Sequence, residues 1–242
     1  MTKSTGNNSF VWAGGYDVSR QAKGFDHEET QGSENITTIY DARQHKHEVH
    51  GNTILSHSMS WDGWVEKGPG GTRELRASLG AGQNIVCVFG EEGVNPGAEC
   101  RLVRGPNTGM GIGIDLSAHT TVSMGIQGSG DAPFGTLLKG LTTVSASGSD
   151  DSISLPAAPN GAVVVIFVFG ATGDDPNASI EVDHSDDDDT FVGLAELENL
   201  DGSKLGMAID TDGAVDEHLK VSWTLGVDTE SLTFGVAVFP KS

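Results

Sequence analysis

Gly161-Ala162-Val163-Val164-Val165-Ile166-Phe167-Val168-Phe169-Gly170 is the stretch on which the fold turns. Ala162 to Phe169 is the longest apolar run in the chain, far short of the roughly 20 residues that span a bilayer as a helix. Glycine bounds it on both sides, so Val163–Phe169 reads as a strand. Ser152–Leu155 precedes it as a shorter strand. Ala178–His184, Phe191–Glu198, Gly206–Asp210, His218–Leu225 and Ser231–Phe239 follow it. Turn signals separate them: Pro159-Asn160-Gly161, Gly173-Asp174-Asp175-Pro176-Asn177, Asp201-Gly202 and Asp212-Gly213. Strands at roughly ten-residue spacing predict an antiparallel β-sandwich, immunoglobulin-like or jelly-roll-like.

The preceding part of the chain also reads as β structure. Residues 1–9 form a polar arm, and Phe10-Val11-Trp12-Ala13 starts the first strand. Asn35–Tyr40 is rich in Ile and Thr and reads as another strand. Asp41–Gly51 is charged and too long for a tight turn, which predicts an extended loop. Thr53–Trp64 alternates with period two, the pattern of a half-buried strand. Thr72–Leu79 is the one short helix expected, with Thr72 as cap, Leu75 and Leu79 one turn apart, and Gly80 as terminator. Asn84–Phe89, Glu99–Val103, Gly109–Ile114 and Thr120–Gln127 read as strands, and Asp131–Leu141 reads as a connection. The fold class expected is all-β.

Charge divides the chain. Residues 1–145 hold 11 Lys+Arg against 15 Asp+Glu, and residues 146–242 hold 3 against 19. The total of -20 thus splits into -4 and -16, and no Arg occurs after residue 145. This shift places an expected domain boundary near residue 145, giving domains 1–145 and 146–242. A surface so acidic repels phosphates and anionic membranes, which excludes a DNA-gripping groove. It reads either as a solvated face or as an adaptation to high salt. MTKSTGNNSF lacks the apolar core of a signal peptide, so synthesis in the host cytoplasm is expected.

Candidate chemistry is sparse. Cys87 lies inside Ile85-Val86-Cys87-Val88-Phe89 and reads as a buried free thiol, while pairing with Cys100 stays open. His45, His47 and His50 space as H-x-H-x-x-H, so two could share a metal, or the segment is a solvated loop or inter-subunit contact. Asp186–Asp189 and Asp210-Thr211-Asp212-Gly213 with Asp216 and Glu217 resemble cation loops, but the spacing breaks after Asp212, which favours solvated turns. Gly109-x-Gly111-x-Gly113 is followed by no helical pattern and is not a nucleotide fingerprint. No G-x-S-x-G or H-E-x-x-H occurs. Trp12, Trp61, Trp64 and Trp223 read as core aromatics, with a sugar-binding platform as the other option. No catalytic, cofactor or metal residue is expected, and the chain does not read as an enzyme.

Two sets of motifs resemble tail-tube-type structural proteins of tailed viruses. The first is Gly15-Tyr16-Asp17-Val18-Ser19, Thr37-Thr38, Met59-Ser60-Trp61-Asp62-Gly63, Leu75-Arg76-Ala77-Ser78-Leu79-Gly80 and the strand Ser123–Gly130. The second resembles the β-sandwich appended to such proteins: Ile180-Glu181-Val182-Asp183-His184-Ser185-Asp186-Asp187, then Leu219-Lys220-Val221-Ser222-Trp223-Thr224-Leu225-Gly226 through Leu232–Val238. The resemblance implies a tail-tube-like sandwich or barrel that builds homohexameric rings stacked into a tube. Viral DNA would cross the lumen without specific binding, other tail proteins would be partners, and the location would be the virion tail. The 146–242 sandwich would face outward. The family carries basic residues there and this chain carries acids, which implies a virus of a salt-loving, haloarchaeal-type host. Capsid decoration, a minor tail protein and a carbohydrate-binding host-recognition module are the alternatives.

Overall fold

A computed structural model describes residues 9–19, 22–32, 54–64, 74, 77, 82, 84–90, 92–113, 121–129 and 133–241. The architecture is antiparallel β throughout. In the first half the strands are β1 (Phe10–Ala13), β2 (Tyr16–Asp17), β3 (Ala22–Gly32), β4 (Ile54–Trp64), β5 (Asn84–Gly90), β6 (Glu99–Gly113), β7 (Thr121–Ser129) and β8 (Phe134–Val144). In the second they are β9 (Gly148–Ser149), β10 (Ile153–Ser154), β11 (Ala162–Gly173), β12 (Ala178–Ser185), β13 (Val192–Leu200), β14 (Leu205–Asp210), β15 (His218–Leu225) and β16 (Thr229–Pro240). All of the strands expected after residue 151 are present. Of the expected helix Thr72–Leu79, Glu74 and Ala77 are described and both are helical; the rest lies outside the described residues, as do Asn35–Tyr40 and Asp41–Gly51.

One sheet runs β14-β11-β16-β8-β6-β5-β1-β2. From β6 it branches into β7, β4 and β3. A second sheet holds β10-β15-β12-β13, with β9 beside β15. Three apolar cores separate these layers. In β11, Val164, Ile166 and Val168 face a core shared with Ile180, Val182 and Val221 of the second sheet. Val163, Val165 and Phe167, on the opposite face, pack with Trp12, Val88, Leu102 and Phe239. Both faces of β11 are therefore buried, which is why its sequence is continuously apolar rather than alternating. In the third core Val11, Ile85, Cys87 and Val103 meet Met59, Trp61, Met124 and Ile126 of the β4–β7 layer.

Phe134–Val144 corrects the sequence reading. Where a connection was expected, β8 is an interior strand, paired along β16 and to the start of β6. Leu137 and Leu138 face two different cores because both faces of β8 are covered there, and Gly135, Gly140 and the buried Lys139 interrupt the apolar run, so neither a period-two nor a continuous apolar pattern shows in the sequence. The expected segment Glu99–Val103 and the described part of Gly109–Ile114, which ends at Gly113, belong to the single strand β6.

The large sheet also curls until its ends meet. A Cβ on Gly15, which sits at φ +86, would lie 2.3 Å from the Leu205 backbone nitrogen and 2.7 Å from the Val168 carbonyl oxygen. Only glycine allows this close approach of the β1–β2 turn to β14. Hydrogen bonding and packing are thus continuous across residue 145, although charge is not.

Candidate functional site

The β3-β4-β7 layer has an outer face of distinct composition among the described residues. In β4 the inward residues His57, Met59, Trp61 and Gly63 are buried, while Ser60 and Asp62 are exposed. Register sets Asp26 of β3 opposite Ser60, and Glu28 opposite Ser58. On the other side, Ser58 faces Gln127 and Asp62 faces Ser123 of β7. This face is built of serine, glutamine and acids, and none of its described side chains is basic.

Among the described residues β3 pairs with β4 alone. After one register shift near Ala22, the pairing is regular from Gly24 to Gly32. The edge strand of the second sheet differs: β13 pairs with β12 through two register shifts, which bend and guard an edge.

Cations whose side chains are described are engaged by the chain itself. Arg104 Nη1 lies 2.8 Å from Asp210 Oδ2, and Lys204 Nζ 2.9 Å from Glu74 Oε1. Lys241 Nζ donates to the Thr211 carbonyl at 2.9 Å and lies 3.5 Å from Asp212 Oδ1. Arg101 stacks 3.7 Å over Phe134, and Lys220 lies 5.2 Å from the Phe191 ring centre. Lys139 is buried against Asp150. Among the described residues each of these Lys and Arg side chains thus has an acid or an aromatic ring as its partner.

The acidic turns are closed on themselves. In Asp186–Asp189 the Asp187 carboxylate accepts the backbone N–H groups of Thr190 and Asp189 and the Ser185 hydroxyl. Those bonds hold its pKa below the ordinary aspartate value. In Asp210-Thr211-Asp212-Gly213, Arg104 and Lys241 supply the positive charge. Among the described residues no group of three His, Cys, Asp or Glu side chains could hold a metal ion. His45, His47 and His50 lie outside the described residues.

Cys87 and Cys100 are free and buried in different cores, so they do not pair. Burial pushes both thiols up, away from reactive thiolate. Trp12 and Trp61 are buried. Trp223 packs on Lys139 and Gly148 and donates its indole N–H to the Ala146 carbonyl at 2.8 Å. None of these three forms an open sugar platform, and the Trp64 side chain lies outside the described residues.

No family model matches the chain, and no curated protein matches it. Among solved structures, a chain of the virion of the native gene transfer agent particle is 12% identical, with TM-score 0.35 over 55% of this chain and 98% of that one. A chain from the tail of the empty gene transfer agent particle, of C6 symmetry, is 9% identical, with TM-score 0.34 over 47% and 81%. The VP2 subviral particle of infectious bursal disease virus is 10% identical, with TM-score 0.27 over 95% and 54%. Scores this low carry no argument about this chain.

Proposed function

We propose that this chain is a structural subunit of a virus particle, a tail-tube protein whose copies join edge to edge into rings that stack around a DNA passage. The observation that carries the reading is the pairing of two features on one layer. The β3 edge is long and regular from Gly24 to Gly32, and the adjoining face shows serine and acid with no described cation. A free regular edge is a template for pairing with another chain, and a closed ring removes that hazard. A lumen lined by Asp26, Glu28, Ser60, Asp62 and Ser123 would repel phosphate and let DNA slide. Roles would follow the charge: residues 1–145 forming ring and lumen, residues 146–242 facing outward and keeping the assembly hydrated.

Electron microscopy of the purified full-length protein at high concentration and high salt tests this directly. Hexameric rings or open-ended tubes are expected. A species that stays monomeric or trimeric under those conditions rejects the tube and favours capsid decoration or a minor tail role.

A further inference from the structure

We draw no further inference here: the strongest candidate, the cavity of about 220 Å³ that Phe89, Glu92, Glu99, Arg101 and Phe134 line where β5, β6 and β8 meet, carries nothing, because its carboxylates and its stacked guanidinium call for opposite ligands and nothing in the structure shows what fills it.

Discussion

Lys139 Nζ lies 2.6 Å from one carboxylate oxygen of Asp150 and 2.8 Å from the other. Lys139 is on β8 and its side chain is almost entirely buried, whereas Asp150 follows β9 and is one-third exposed. The ammonium also lies 4.1 Å from the Trp223 ring centre and 5.4 Å from that of Phe234. The pair therefore fastens the crossing from the large sheet to the second one at the point where the charge of the chain changes.

Removing the two partners should not be equivalent. Asp150→Ala leaves a buried ammonium without its counter-charge and should cost about 3 kcal/mol. Lys139→Met keeps the stem packing and leaves a carboxylate that water can reach, so it should cost roughly half as much. Urea denaturation of the two variants checks the order.

Trp12 and Gly235 make a second link between the halves. A Cβ on Gly235 would lie 2.7 Å from the Trp12 ring. Gly235→Ala should cost about 1–3 kcal/mol by overpacking, and Trp12→Ala about 3–5 kcal/mol. The double variant should cost less than the sum, because removing the indole makes room for the methyl group. Residues 1–145 expressed alone should lack a cooperative unfolding transition, since Val165, Phe167 and Phe239 are absent from their core. A sharp, native-like transition of that fragment would show the halves to be independent.

Stability should pass through a maximum on acidification. Glu181 has a raised pKa in the folded state, so the fold binds more protons than the unfolded chain around and above the ordinary value of 4.5. Its contribution is present below the unfolded pKa and is lost as pH rises through the folded one. Asp187 and Asp201 are lowered by hydrogen bonds, from Thr190, Asp189 and Ser185 at Asp187 and from Ser203 at Asp201. Their contribution is present above the ordinary 3.8 and is lost as pH falls below it. Melting temperature should rise as pH falls from neutral toward the ordinary glutamate value of 4.5 and drop again as pH falls below the ordinary aspartate value of 3.8. Glu181→Gln should flatten the first limb and leave the second.

The 19-to-3 excess of acids in residues 146–242 makes salt a stabiliser on the halophilic reading. Melting temperature should climb steeply between low and molar KCl. A flat profile disposes of that reading while leaving the fold and the ring proposal untouched.

If copies pair through β3, single prolines should separate assembly from folding. Successive residues of an edge strand aim their N–H groups alternately at the partner strand and outward. Of Asp26→Pro and His27→Pro, one should lower the melting temperature through the β4 pairing. The other should keep the fold and abolish rings and tubes in micrographs. Polymers from both variants would move the contact elsewhere.

The sequence alone was enough for the strands after residue 151, for the all-β class and for the asymmetry of charge. Glycine and Asp-rich turns at regular spacing are local signals, and charge is additive along a chain. It also marked Cys87 as a buried thiol, because the apolar residues flanking it fix its surroundings. Tertiary structure alone decided which strands pair across the chain. β8 looked like a connection because both its faces are buried and Gly135, Lys139 and Gly140 break its apolar pattern, and strand pairing with β16, some 90 residues away, supplies what local pattern lacks. The same holds for β3, whose charged run Asp26-His27-Glu28-Glu29 shows no apolar period, yet register with β4 places it in the sheet. Composition therefore shows a step at residue 145, whereas the core that joins Trp12 to Phe167 and Phe239 runs through it.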